Sequence, residues 1–129
     1  MSKKILIIDD DIDLTDSIKA WFEARSYTVR AAHSGAAGKK EVKKERPDAI
    51  ILDVMMDTDA DGFNLAYELK NDTATRDIPI VLLSGFTDHL EDKVQSFEFV
   101  LERDWPVTEY LKKPASLQSI GAAVERVLA

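Results

Sequence analysis

The sequence contains no cysteine, and this absence rules out several kinds of chemistry. Disulfide bonds, thiol catalysis and cysteine-ligated zinc or iron–sulfur centres all need a residue that the chain lacks. Glycine and proline are also sparse, at five and four of 129 residues, which excludes collagen-like and low-complexity chains. Hydrophobic residues make up 45% of the chain and charged residues 32%, as is typical of one folded globular domain of this length.

Long hydrophobic runs are absent as well. The longest ones, Ile5 to Ile8 and Ile80 to Leu83, are much too short to cross a bilayer. Near the amino terminus, two lysines are followed by four apolar residues and then by three aspartates, which is not the pattern of a signal peptide. We therefore expect a cytoplasmic protein that does not associate with a membrane.

Positive charge is in deficit, because 17 lysines and arginines face 24 aspartates and glutamates, giving a formal net charge of −7. An acidic surface repels phosphate backbones, so we expect no direct nucleic-acid binding by this chain. Its one basic stretch, Lys39 to Arg46, is interrupted by Glu41 and Glu45. A solvated helix face explains this stretch better than a nucleic-acid patch.

Short apolar runs alternate with longer amphipathic segments along the whole chain. The apolar runs predict strands over Lys4–Ile8, Tyr27–Ala32, Ala49–Asp53, Ile78–Leu83 and Glu109–Leu111. The amphipathic segments predict helices over Ile12–Arg25, 35–44 after a Ser34 cap, Gly62–Asn71, Asp88–Arg103 and 117–128 after a Ser116 cap. This alternation is typical of an α/β domain, with a parallel sheet covered by helices on both faces. We expect one domain over residues 1–129, with the second strand at an edge because it contains Arg30.

Polar residues follow the ends of the predicted strands. The first strand is followed by Asp9, Asp10 and Asp11, and the third ends in Asp53. The fourth is followed by Ser84-Gly85 and the fifth by Lys112-Lys113-Pro114. Open α/β sheets bind their ligands outside the carboxyl ends of the strands. If the first and third strands are neighbours, the carboxylates of Asp9, Asp10 and Asp53 converge on one pocket.

Three clustered carboxylates repel one another unless a positive charge lies between them. Mg²⁺ suits a site with few protein carboxylates and several waters, and a lysine from the fifth strand would add a second positive charge. Together they could neutralise a phosphoryl group during transfer to an aspartate, which would form an acyl phosphate. Each residue alone is better explained as a turn, cap or surface residue. Their joint occurrence, in order, at successive strand ends favours the functional interpretation.

Four segments carry a resemblance to a known family: ILIIDDDIDL, IILDVMM followed by Asp61-Gly62-Phe63, IVLLSG, and YLKKP. Over essentially its full length the chain resembles a response regulator receiver domain of two-component signalling. The resemblance implies a flavodoxin-like fold, a three-layer, doubly wound (βα)5 domain whose five-stranded parallel sheet has the order 2-1-3-4-5.

The resemblance also implies a role for each residue at the strand ends. Asp53 would accept a phosphoryl group from a partner phosphohistidine. Asp10, Asp53 and the backbone carbonyl of Met55 would hold Mg²⁺, and Asp9 would act largely through a bound water. Lys113 would contact a phosphoryl oxygen, Ser84 would hydrogen-bond the phosphoryl group and move towards it, and Tyr110 would be an aromatic switch.

The family implies partners and an output as well. The phosphoryl donor would be a sensor histidine kinase or a histidine phosphotransfer protein, and the receiver would be a signalling switch rather than an enzyme with a diffusing substrate. Phosphorylation would alter the surface formed by the helix over 88–103, the fifth strand and the last helix. That change could drive homodimerisation or reach a downstream protein or output domain.

Three alternatives remain beside this interpretation. The segment from Asp57 to Glu68 satisfies the EF-hand calcium-loop pattern, although a strand rather than a helix is predicted before it. Asp11-Ile12-Asp13-Leu14-Thr15 spells the short nucleophile motif of haloacid-dehalogenase-type hydrolases, but it begins two residues too far from the strand. The chain could also be a receiver-like interaction module that works without phosphorylation. His33 and His89 are expected to be surface residues without a role.

Overall fold

The computed structural model describes residues 3–53, 61–85, 109–113 and 115–128, with the backbone alone at 61–64, 84, 85, 110, 112 and 113. Five strands are present: β1 (Lys4–Ile8), β2 (Thr28–Ala32), β3 (Ala49–Asp53), β4 (Ile80–Gly85) and β5 (Glu109–Lys113). The described residues also form four helices: α1 (Ile12–Glu23), α2 (Gly35–Lys44), α3 (Asp61–Asn71) and α4 (Leu117–Leu128). The helix predicted over residues 88–103 lies outside the described residues.

The strands form one parallel sheet in which the order of the described strands is β2-β1-β3-β4-β5. β2 lies at an edge, as Arg30 indicated, and the Arg30 guanidinium binds the Glu41 carboxylate of α2 at 2.5 Å. Because β1 and β3 are neighbours in the middle of the sheet, the residues that follow them meet at the same edge.

The sheet is buried on both faces, because alternate residues of each strand point to opposite sides. On one face, α2 and α3 pack over Leu6, Ile8, Ile50 and Leu52 through residues such as Val42 and Leu65. On the other face, α1 and α4 pack over the alternate strand residues through Ile18, Phe22, Ile120 and Val124. The predicted parallel sheet with helices on both faces is therefore present.

Two strands extend further at their carboxyl ends than predicted, and one of them also begins later. β4 begins at Ile80 rather than Ile78, because the Ile78 N–H donates to the carbonyl of Thr75 at 3.0 Å and remains in the preceding turn. β4 and β5 both continue at their carboxyl ends, where Ser84 pairs with Lys112 and Gly85 with Lys113. The residues that were predicted to follow these strands thus form their last ladder positions.

Polar side chains cap the N-termini of three helices. Ser34 caps α2 by accepting from the Ala37 N–H at 3.1 Å, and Ser116 accepts from the Ser119 N–H at 3.0 Å before α4. Asp11 caps α1, its Oδ1 accepting from the Leu14 N–H at 3.1 Å. Within the described ranges, no helix is long and apolar enough to span a bilayer.

Gly38 allows α2 to approach the sheet closely, and this contact gives a first prediction. A methyl carbon placed on Gly38 would lie 2.5 Å from Cδ1 and 2.9 Å from Cγ1 of Ile8, which is fully buried, so the Ile8 side chain or α2 would have to shift. We expect Gly38→Ala to lower the free energy of unfolding by about 1–2 kcal/mol, although alanine is the better helix former. Urea denaturation measures this loss. In an Ile8→Ala background the same change should become neutral or stabilising, and an unchanged loss there would contradict the assigned contact.

Candidate metal centre

Asp9, Asp10 and Asp53 meet at the carboxyl edge of the sheet. Asp9 and Asp10 directly follow β1, and Asp53 is the last residue of β3. The two strands pair in parallel with Ile8 opposite Leu52, so Asp9 and Asp53 occupy matching positions one residue further on. One carboxylate oxygen from each of the three aspartates lies within 4.8 Å of the others. The topology thus brings together carboxylates that are more than 40 residues apart in sequence.

Two of the three carboxyl groups are buried. Asp9 is 1% exposed and Asp53 is 3% exposed, whereas Asp10 is open to solvent. Acidic residues are rarely buried to this extent unless they are paired or hydrogen-bonded. The Asp9 Oδ1 accepts a hydrogen bond from the Asp11 N–H at 2.9 Å, and the Asp9 N–H donates to the carbonyl of Ala32 at 3.0 Å. The acidic group therefore combines two buried carboxylates with one that is exposed to solvent.

The donor set fits a hard divalent cation. Three carboxylates can supply one oxygen each, and the exposed side at Asp10 leaves room for water to complete the coordination. This combination suits Mg²⁺, which retains several waters, better than Ca²⁺, which takes six to eight oxygen ligands. Among the residues that the structure describes, no other group of three histidine or acidic side chains meets in this way.

The remaining predicted site residues are placed only by their backbone or lie outside the described ranges. Ser84 is in β4 and Lys113 in β5, one ladder position apart at the carboxyl ends of neighbouring strands. Tyr110 lies deeper in β5, opposite Leu82. Met55 lies outside the described residues. The backbone therefore places Ser84 and Lys113 at the same edge of the sheet as the aspartates, and their roles, with those of Met55 and Tyr110, stay predictions.

The competing motifs do not match this structure. An EF-hand loop over Asp57–Glu68 would need a helix before it and an open loop through most of its twelve positions. A strand, β3, precedes the segment instead, and α3 already begins at Asp61, which would be the fifth loop position. The hydrolase motif also fails, because its supposed nucleophile, Asp11, is the exposed cap of α1 rather than a strand-end residue.

One side-chain contact beside the site was not predicted from the sequence. His33, which was expected to have no role, has its Nε2 at 3.2 Å from Oγ1 of Thr15, a fully buried residue in the first turns of α1. His33 directly follows β2, and β2 neighbours β1 in the sheet. A polar residue directly after β2 was the available signal, but its partner could not be read without the β1–β2 pairing.

Comparison with known proteins identifies the family. The family model of the response regulator receiver domain matches residues 5–125. The chain belongs to this family. The receiver is 34% identical over 125 residues to the DNA-binding dual master transcriptional regulator RpaA of Synechocystis, and 31% identical over 128 residues to the response regulator MprA of Mycobacterium ulcerans. These matches cover 97% and 99% of the receiver, but only 48% and 51% of the two regulators.

A solved structure supports the same assignment. The signal receiver domain of a signal transduction histidine kinase from Syntrophus aciditrophicus is 28% identical, with a TM-score of 0.83, over 98% of this chain and 90% of that one. The receiver thus has the flavodoxin-like receiver fold. Receiver domains are signalling switches of two-component systems. Because this chain spans about half the length of RpaA and MprA, their remaining activities are not assigned to it.

Proposed function

We propose that this receiver is a phosphoryl-acceptor switch in which Asp53 takes a phosphoryl group from a partner phosphohistidine in a Mg²⁺-dependent reaction. One observation carries the proposal: one carboxylate oxygen from each of Asp9, Asp10 and Asp53 lies within 4.8 Å of the others at the carboxyl edge of the sheet. Asp53 ends the central strand β3 and belongs to the acidic group, so its carboxylate stands where both a metal and a phosphoryl group could be held.

Asp53 is the nucleophile in this proposal. One of its carboxylate oxygens forms a bond to phosphorus while the bond between phosphorus and the donor imidazole nitrogen breaks, and the electron pair of that bond stays on nitrogen. Asp10, Asp53 and the Met55 carbonyl would hold Mg²⁺ directly, and Asp9 through water; the bound metal supplies positive charge for the phosphoryl oxygens. The Asp9 carboxylate accepts from the Asp11 N–H, a bond that would help to hold it in place during the transfer.

Lys113 and Ser84 complete the proposed site. The β4–β5 ladder, in which Ser84 pairs with Lys112 and Gly85 with Lys113, supports their presence at the reacting edge of the sheet. Lys113 would neutralise a phosphoryl oxygen and Ser84 would donate a hydrogen bond to another. The added charge would draw Ser84 inwards and bias a two-state surface around Tyr110.

Residues 1–129 would form one cytoplasmic (βα)5 receiver with the sheet order 2-1-3-4-5, in which a further helix would join β4 to β5. The five paired strands and the helices on both faces support it. A sensor histidine kinase or a histidine phosphotransfer protein would supply the phosphoryl group. The output would pass to a downstream partner or to a homodimer without nucleic-acid contacts by this chain, in keeping with its net charge of −7.

The test is incubation with acetyl phosphate and Mg²⁺, followed by intact-mass measurement. We expect the wild-type chain to gain one phosphoryl group and to gain none when Mg²⁺ is chelated, because the clustered carboxylates then repel the donor. Asp53→Asn should gain none under either condition. Asp11→Asn is the matched control, since it changes a neighbouring exposed aspartate outside the acidic group and keeps a good helix cap.

Three outcomes would overturn the proposed function. Full modification of Asp53→Asn would place the acceptor elsewhere, and modification mapped to Asp11 would revive the hydrolase interpretation. No modification of the wild-type chain, with Mg²⁺ and with either acetyl phosphate or a phosphorylated histidine donor, would favour the phosphorylation-independent interaction module.

A further inference from the structure

A closed ring of hydrogen bonds joins the acidic site to the edge strand β2. Starting from β2, the His33 ring contacts the Thr15 hydroxyl at 3.2 Å, and the Thr15 N–H donates to the Asp11 carbonyl at 3.0 Å. The Asp11 N–H then donates to the Asp9 carboxylate at 2.9 Å. Finally, the Asp9 N–H donates to the carbonyl of Ala32, the residue directly before His33, at 3.0 Å. The ring therefore begins and ends at the carboxyl end of β2.

The direction of the bond between His33 and Thr15 follows from the other contact of the hydroxyl. Thr15 Oγ1 lies 2.9 Å from the carbonyl of Ile12, which can only accept. When the hydroxyl proton of Thr15 is donated to that carbonyl, its oxygen can accept from Nε2 of His33 in the tautomer that carries the proton there. The histidine is thus a donor in the ring, and any replacement must donate from a similar position to preserve it.

The backbone of His33 is held in place by its neighbours, although its side chain is exposed. The residue before it, Ala32, is buried and pairs with Ile8 in the sheet. The residue after it, Ser34, is held as the cap of α2 by the Ala37 N–H at 3.1 Å. Its backbone is therefore fixed on both sides, whereas the segment that carries Asp9 and Asp10 is a connection between β1 and α1.

We propose that His33 and Thr15 are a positioning pair for the metal centre, which hold the segment Asp9–Asp11 in the geometry that binds Mg²⁺. This inference rests on the proposed function, because it assigns the metal to that site. Neither residue would touch the metal; both act through Asp11 and Asp9. A segment that is ordered in advance loses less conformational freedom when the metal binds. We therefore expect the loss of either residue to weaken Mg²⁺ binding.

The experiment measures Mg²⁺ binding by isothermal titration calorimetry, with the metal alone as the probe. We expect His33→Ala to weaken Mg²⁺ binding about fivefold. This is somewhat less than is usual for residues that hydrogen-bond a metal-binding side chain directly. His33→Gln should bind within about twofold of wild type, because its amide nitrogen lies the same number of bonds from Cα and can donate to Thr15. Thr15→Val should weaken binding as much as His33→Ala, and the double variant should be no weaker than either single one.

A kinetic measurement separates positioning from a general structural defect. At saturating Mg²⁺, the rate of phosphorylation of His33→Ala by acetyl phosphate should return to the wild-type value, since the metal itself then orders the segment. Arg25→Ala is the matched control. Arg25 follows the carboxyl end of α1, far along the chain from the acidic group, and its Cζ lies 3.5 Å from the centroid of the Trp21 ring. Its loss should leave Mg²⁺ affinity unchanged.

Wild-type Mg²⁺ affinity in a folded His33→Ala protein would overturn the inference, as would additive losses in the double variant or an equal loss in Arg25→Ala. Those results leave wild-type binding and Asp53 phosphorylation intact, so they do not touch the proposed function. A wild-type chain that itself binds no Mg²⁺ would overturn both.

Discussion

Phe22→Ala should lower the free energy of unfolding by about 4 kcal/mol, as the loss of a fully buried aromatic ring usually does. Phe22 is 1% exposed and lies in the cluster that packs α1 and α4 onto the sheet. Its ring also makes edge contacts with Trp21 and Tyr27 at centroid distances of 5.0 and 5.1 Å, which smaller side chains cannot replace. Truncation therefore leaves a cavity and removes two aromatic contacts at once.

The measurement is urea denaturation of the metal-free protein, with a control on the same helix. Ile12 is 58% exposed at the first position of α1, so Ile12→Ala should change the free energy of unfolding by less than about 0.5 kcal/mol. Phe22→Leu should fall between the two, since leucine fills part of the space. Similar losses for Phe22→Ala and Ile12→Ala would show that α1 does not depend on this face for its packing.

The central part of the fold could be predicted because burial on both faces leaves an unambiguous pattern. β1 and β3 have the predicted bounds, since a strand between two neighbours and two helical layers is apolar at almost every position. α1 ends at Glu23 rather than Arg25, because the chain reverses there: Arg25 and Ser26 donate to the Phe22 and Glu23 carbonyls, and Ser26 has a φ of 71°. No local pattern marked that reversal.

The edge of the sheet shows where local patterns stop being informative. Ser84, Gly85, Lys112 and Lys113 are polar or small, so each pair was predicted to follow a strand rather than to belong to it. The ladder between β4 and β5 includes them because backbone groups pair whatever the side chains are, and only the neighbouring strand determines how far the pairing extends.

The candidate site also has a part that the sequence predicts and a part that it does not. The meeting of Asp9, Asp10 and Asp53 could be predicted, because it follows from the adjacency of β1 and β3 and from the positions of the aspartates after them. The contact between Thr15 and His33 could not, since it depends on side-chain conformations and on a helix turn facing the end of a different strand. Topology therefore accounts for the acidic group, whereas the contact beside it depends on side-chain packing.

Asp53→Asn should change the sign of its effect on stability when Mg²⁺ is added. Without the metal, the substitution removes one of three mutually repelling carboxylates while preserving shape, and we expect the free energy of unfolding to rise by about 1 kcal/mol. With Mg²⁺ at about one hundred times its dissociation constant, the wild-type protein gains about 2.7 kcal/mol from binding. The variant has lost one charged ligand, gains much less, and becomes the less stable protein.

Paired urea titrations of both proteins, with chelator and with saturating Mg²⁺, measure the two differences directly. Asp11→Asn is again the control, because it removes a charge from the same segment without removing a member of the acidic group, and its effect should stay below about 0.5 kcal/mol in both conditions. A destabilising Asp53→Asn in chelator would mean that the carboxylate is held by other contacts more strongly than its neighbours repel it. Equal Mg²⁺ stabilisation of both proteins would exclude Asp53 from the metal site, because a ligand that the metal uses cannot lose its charge without weakening the binding.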